Sequence, residues 1–345
     1  MAGKRGQTPP RAALMPDSRA IDAERQVQDS FRKIQLFQLL ILGAAVLFFG
    51  RWLSRMPDRT ELGPRIARIA FHPVRLDPSG FAPLQLAGAW TLTSSDPRLG
   101  GVSALAIESN DLILLTDAGV VIRFAKPAGG TAQAWIREVP GGPRNPRSKS
   151  HRDSESLLRD PSARGWWVGF ENFNQLWLYD RQFDRALGRI DFGRKRWPWN
   201  TGLEALASVG DALLLLPEAG DQVVEVRGSS QQAFPIENPA SRISDAARLP
   251  SGELWVVNRH LTALGFANSI ALLQPTRRGF RYDERIRLGV GLLDNVEALA
   301  AERLPDGRTR LWLMTDDNFQ RPLRTLLIAL DWPRRPVRSS SRSRA

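Results

Sequence analysis

Hydrophobic positions along the chain fall into two patterns. Residues 34–50, IQLFQLLILGAAVLFFG, form one unbroken apolar run without charge or proline. From residue 66 onward the apolar residues come in short clusters of Leu, Val, Ile and Trp, cut by Gly, Pro, Asp and Asn. The first pattern predicts a membrane-spanning helix. Its 17 residues, at 1.5 Å rise each, reach about 26 Å, close to a hydrocarbon core of ~30 Å. Trp52 and Leu53 extend it into the interface. A cleaved signal peptide fits less well, because Phe48 and Phe49 stand where a cleavage site needs small residues. The second pattern predicts strands and turns, with no long helical stripe between 66 and 333. The expected organisation is a polar, basic tail (1–33), a transmembrane anchor (34–50), a Pro-containing linker (51–65), an all-β body (66–333) and an Arg/Ser-rich tail (334–345).

The body repeats. An acidic or hydroxyl residue followed by a small and an apolar one begins at Ser103, Glu155, Glu204, Asp245 and Glu297, at steps of 52, 49, 41 and 52 residues. Each copy is followed by a turn, an apolar strand and then a polar residue: Asp117, Glu171, Glu218, Asn258 and Asp316. Several strands per unit of about 40–50 residues is the pattern of a β-propeller, whose blades cannot bury both faces alone and stack around an axis. Five copies are visible, and residues 66–100 are expected to supply a sixth blade and the closing strand. A β-sandwich with accidental spacing is the competing reading.

In a propeller the first strand of each blade lines the central channel, so Glu155, Glu204, Asp245 and Glu297 are expected around one mouth. The acids that end the second strand should point to the same face, because an antiparallel neighbour ends where its partner begins. Clustered carboxylates repel unless a cation or an arginine neutralises them. An all-oxygen donor set suits Ca²⁺. Pairing with Arg152, Arg259, Arg321 or Arg324 is the alternative, and capping of blade turns by each acid is another.

Charge changes the picture less than its total suggests. The net +12 resides mainly in the tails: residues 1–67 carry 11 basic and 6 acidic groups, residues 332–345 five basic and none acidic, and the body 32 against 30. A nucleic-acid-binding face on the body is therefore not expected. No Cys and only three His (His72, His151, His260) exclude disulfides, thiol chemistry and a His-rich zinc site. Two basic loops, GGPRNPRSKSHR (141–152) and GRKRWPW (193–199), precede two first strands and should open onto the acidic mouth. Arg and Lys beside an acid-bound cation are what an anionic ester substrate requires.

The segments GVSALA (101–106), WVGFE (167–171), GLEALA (202–207), NVEALA (295–300) and TDDNF (315–319) resemble the phytase-like domain family, described as "esterase-like activity of phytase", over about residues 88–332. The resemblance implies an exported propeller and, loosely, hydrolysis of phosphate or other esters. It implies a location at the inner membrane with the propeller on the periplasmic side. Glu171, Glu204, Glu297, Asp316, Asp317 and Asn318 match the family motifs, while Ser103 and the Asp245 copy depart from them. The resulting assignment makes Glu171, Glu204 and Glu297 catalytic and gives a cation to Glu155, Asp245, Asp316, Asp317 and Asn318. Arg147, Lys149, Arg152, Arg194, Lys195 and Arg196 are assigned to an anionic small-molecule substrate. A lactonase-like metal-dependent propeller and a membrane-tethered binding propeller without catalysis are the alternatives.

Overall fold

A computed structural model of the chain describes residues 63–144, 148–193, 197, 202–239, 242–249 and 251–332. The expected anchor at 34–50 and both tails lie outside the described residues. Among the described residues no helix is long and apolar enough to cross a membrane.

Among the described residues the strands group into five four-stranded blades, four of them meanders of consecutive strands. Blade 1 is β3 (Val102–Glu108), β4 (Asp111–Thr116), β5 (Val120–Ala125) and β6 (Thr131–Glu138). Blade 2 is β7 (Ser154–Arg159), β8 (Gly165–Phe170), β9 (Gln175–Asp180) and β10 (Ala186–Asp191). Blade 3 is β11 (Leu203–Val209), β12 (Ala212–Pro217), β13 (Gln222–Arg227) and β14 (Ser230–Glu237). Blade 4 is β15 (Ile243–Arg248), β16 (Leu254–Thr262), β17 (Gly265–Pro275) and β18 (Phe280–Leu288). Blade 5 takes β19 (Asn295–Arg303), β20 (Thr309–Asp316) and β21 (Leu326–Trp332) from one end of the body and β2 (Gln85–Ser94) from the other. Strand β1 (Arg65–Pro73) pairs antiparallel with both β2 and β6, so it seals blade 5 to blade 1. The first strands touch in the cycle β3, β7, β11, β15, β19 and back to β3.

Period-two alternation explains the ring. In β4, Leu112 and Leu114 pack with Trp312, Met314 and Leu327 of blade 5. Their neighbours Ile113 and Leu115 pack with Trp166, Val168 and Tyr179 of blade 2. Successive side chains point to opposite faces, so a middle strand covered on both sides reads as continuously apolar. Strand β12, ALLLLP, is buried at every position. Trp167 and Leu178 meet Leu213 and Leu215 between blades 2 and 3. Leu214 and Leu216 meet Val256 and Ala271 between blades 3 and 4. Trp255 and Ile270 meet Leu311 and Leu313 between blades 4 and 5. Five apolar clusters thus fill five interfaces, and the last interface leads back to the first.

Residues 66–100 supply the expected closing strand, and among the described residues they form no further four-stranded unit. Residues 66–100 contribute only β1 and β2, and β2 is consumed as the outer strand of blade 5, which has three strands of its own. Because β2 is paired on both sides, with Thr91 opposite His72 and Leu326, proline there must remove a ladder hydrogen bond. Thr91→Pro is expected to abolish cooperative thermal unfolding followed by circular dichroism.

Candidate functional site

Every first strand carries a β-bulge near its start. The pairing skips one residue between Val102 and Ala104, Ser154 and Ser156, Leu203 and Ala205, Ile243 and Asp245, and Val296 and Ala298. The unpaired residues are Ser103, Glu155, Glu204, Ser244 and Glu297. A bulge re-aims its side chain out of the pleat, and five of them around the ring create one collar. The register also fixes the equivalent residues after the second strands: Asp117, Glu171, Glu218, Arg259 and Asp316.

This register corrects the sequence reading in blade 4. The collar residue there is Ser244, not Asp245, and the residue after its partner strand position is Arg259, following Asn258. Asp245 is buried one step along, where its Oδ1 accepts the Ala246 N–H at 2.8 Å and its Oδ2 the Leu299 N–H at 2.7 Å. The Leu105 N–H is a third donor. One carboxylate from blade 4 therefore ties the first strands of blades 5 and 1 across the channel. Burial pushes its pKa well above the usual carboxylate range, against these three donors. Asp245 does not belong to the acidic collar.

The charge of Arg259 decides half of the collar. Its guanidinium donates to Glu204 at 3.3 Å and Glu218 at 3.4 Å, and pairs with Glu297. Arg242 adds a second contact to Glu218 at 3.0 Å. Asn295 donates its amide to Glu297. Blade 4 has thus exchanged both of its collar acids, one for serine and one for the cation that neutralises its neighbours.

Two overlapping carboxylate groups lie along the collar, one of them beside Arg259. Ligand oxygens of Asp153, Glu155 and Glu171 lie within 4.8 Å of one another, and so do those of Glu171, Glu204 and Glu218. Glu171 is shared. Its Oε1 accepts the Gly202 N–H at 3.2 Å, and Asp153 accepts the Asn172 amide at 2.6 Å. Nothing among the described residues hydrogen-bonds Glu155. Burial, then the charges of Asp153, Glu204, Glu171 and Asp117, pushes its pKa well above the carboxylate range. Burial and Asp153 raise Glu171 to about 7. Burial and Glu171 raise Glu204 well up despite Arg259. Metal–oxygen distances of about 2.3–2.6 Å place opposed ligands roughly 5 Å apart, so the spacing and the all-oxygen donor set fit a hard cation. These clusters can hold a metal.

The remaining assigned residues divide. Asp316 accepts the Asn318 N–H at 2.7 Å, and Asp317 Oδ1 accepts those of Gly101 at 3.1 Å and Phe319 at 3.0 Å. They belong to the turn that fastens blade 5 to the start of blade 1, with Asn318 at φ 47°, and not to either carboxylate group. Arg152 is 2 % exposed, donates to the Val139 carbonyl and lies over Phe170 at 5.9 Å, so it supports the wall beneath the collar. Lys149 sits in a single helical turn (Lys149–Arg152). Arg147, Arg194, Lys195 and Arg196 lie outside the described residues. Trp197 is buried against Phe192. Arg259 pairs with the collar acids, as the arginine alternative in the sequence anticipated, whereas Asp153 had been assigned no place there; the strand pairing puts Arg259 itself at a collar position.

A closed ring of four-stranded sheets with acids gathered at one mouth defines a β-propeller of the acidic-channel kind. The chain belongs to the phytase-like family: the family described as "Esterase-like activity of phytase" matches residues 97–319, which span the collar-bearing part of all five blades. No curated protein matches the chain by sequence. Among solved structures it is similar to Kuenenia stuttgartiensis hydrazine synthase (12 % identity, 67 % of this chain and 63 % of that chain, TM-score 0.37). It is also similar to Myxococcus xanthus glutaminyl cyclase (12 %, 67 % and 91 %, 0.44). The PQQ-bound aldose sugar dehydrogenase of Streptomyces coelicolor is a third (10 %, 79 % and 99 %, 0.43). Likenesses at this level carry no argument about activity.

Two measurements check this site. Asp245→Ala should strand three buried N–H donors, each costing about 1–3 kcal/mol, and lower stability in denaturant titration by about 3 kcal/mol or more, with Asp245→Asn losing less. The second concerns pH. A carboxyl raised from 4.5 to about 7 favours the fold while protonated, so its contribution is complete below about 4.5 and is lost as pH rises through 7. In chelator, the unfolding midpoint should fall between pH 5 and 8, and Glu171→Gln should flatten that fall.

Proposed function

We propose that the chain is a membrane-anchored, phytase-like hydrolase of phosphate or related esters, assisted by a divalent cation at the collar. The observation that carries this reading is Glu155: a carboxylate set among Asp153, Glu171, Glu204 and Asp117 with no hydrogen-bond donor among the described residues. Such a group needs a proton or a cation. Asp153, Glu155 and Glu171 would hold the ion. The oxygen-only donor set points to Ca²⁺, which when bound would polarise the ester and acidify water. Glu204, whose proton affinity is raised by burial and by Glu171, would move a proton in the cleft, as catalytic carboxyls with raised pKa values do. The basic residues Arg147, Lys149, Arg194, Lys195 and Arg196 would attract the anionic substrate.

The apolar run at 34–50 supports anchoring, and the family resemblance supports a propeller held outside the cytoplasm at the inner membrane.

A second reading, a tethered propeller that binds without catalysis, is favoured by Arg259. Three collar acids already have a counter-ion in it, as a purely structural ring would require.

Hydrolysis of p-nitrophenyl phosphate and p-nitrophenyl acetate, with Ca²⁺ and with chelator, separates the two. Cation-dependent turnover of the phosphate ester that falls by about 100-fold or more in Glu155→Gln is expected, the scale of losing an electrostatic catalytic group. Absence of turnover with either ester, or turnover untouched by chelator and by Glu155→Gln, would favour the binding reading.

A further inference from the structure

Strand β16 does not stop where its counterparts stop. Strands β4, β8 and β12 end at Thr116, Phe170 and Pro217, beside the collar, whereas β16 continues from Arg259 to Thr262 and returns through β17 from Gly265. The extension projects one face of blade 4 past the end of β12. Residues directly opposite in the ladder share a face. Val256 is opposite Ala271, Asn258 opposite Ser269, and His260 opposite Ala267. A bulge at Arg285 keeps Arg287 opposite Ser269 and Glu284 opposite Ala271, with Tyr282 opposite Leu273. Low on this face, Val256, Ala271 and Leu273 are buried against blade 3. Beyond the reach of β12 the same face becomes polar: Asn258, His260, Ser269 and Arg287. A cavity of about 600 Å³ opens there, also walled by Tyr282, Glu284 and Arg259.

Two properties bear on what this cavity can take. Arg259 is shared: it lines the cavity while its guanidinium contacts Glu204, Glu218 and Glu297. An occupant is therefore one side chain away from the collar. Arg287 is the available cation. It is 78 % exposed and, among the described residues, its ion pair is with Glu284, at 3.1 Å; an exposed pair of this kind contributes little, so an incoming anion can displace the Glu284 carboxylate at small cost. The Tyr282 hydroxyl is bonded to Ser269 at 3.0 Å, and burial pushes its pKa to about 12, which keeps it a donor.

Resting on the hydrolase reading for its substrate class, we infer that the cavity beneath the β16–β17 hairpin binds an anionic group of the substrate, a phosphate or carboxylate other than the one cleaved, through Arg287, His260 and Tyr282. The experiment measures binding of inorganic phosphate to the full chain by calorimetry in chelator, without turnover. Arg287→Ala combined with His260→Gln should weaken phosphate binding by about tenfold or more, the scale of one lost charge-assisted contact. Glu284→Gln, which removes the competing carboxylate, should tighten it, and a gain cannot come from misfolding. Glu155→Gln should leave it unchanged. Equal affinity in all four proteins, or no phosphate binding by the parent, would overturn the inference. Phosphate binding that obeys this order in a protein without esterase activity would uphold the pocket and reject the hydrolase reading.

Discussion

Each sheet in this ring has two apolar faces, and water can be kept from both only if the sheets return on themselves. Leu112 and Leu114 look to one neighbour while Ile113 and Leu115 look to the other, and the same division recurs around the axis. Burial of apolar surface at about 25 cal/mol per Å² is the dominant favourable term, and here it has no natural end except closure. The position of everything at the mouth follows: the bulged residues converge because the strands carrying them already encircle a channel.

Closure brings like charges together, and the collar resolves the conflict unevenly. On one side Arg259 stands in register with the acids of the other blades and bridges three of them. On the other side Glu155 and Glu171, buried beside Asp153, show a raised affinity for protons. A raised proton affinity at a cleft is characteristic of sites that handle an ion or a proton. The asymmetry arises from one blade whose two collar positions read serine and arginine.

Much of this was legible in the letters of the sequence. The strand clusters, the repeat and the convergence of Glu155, Glu204 and Glu297 follow from spacing alone. The number of blades did not, because β2 lies some 200 residues before the strands it completes and looks like the beginning of a unit of its own. Asp245 misled for a simpler reason: an acid beside the expected place was accepted as the repeat letter, whereas pairing with Val257 puts it one residue past the bulge. Its three backbone donors come from strands far apart in the chain, which no local pattern can announce. Arg259 could be named in the sequence as one of four candidate counter-ions, but its place within the repeat itself was hidden because the repeat was sought as an acid.

The clasp formed by β1 and β2 imposes an order of events on the chain's own synthesis. The strand pair made first, Arg65–Pro73 and Gln85–Ser94, must wait for Leu326–Trp332 before β2 has its second neighbour. Until that segment emerges, blades 1 and 5 each present a greasy flank to the surroundings, and such long-range closure is slow and prone to misassembly. A nascent chain of this design depends on protection until its final strand arrives, and any pull exerted from the N-terminal side would be felt first at the clasp, where the toroid unzips.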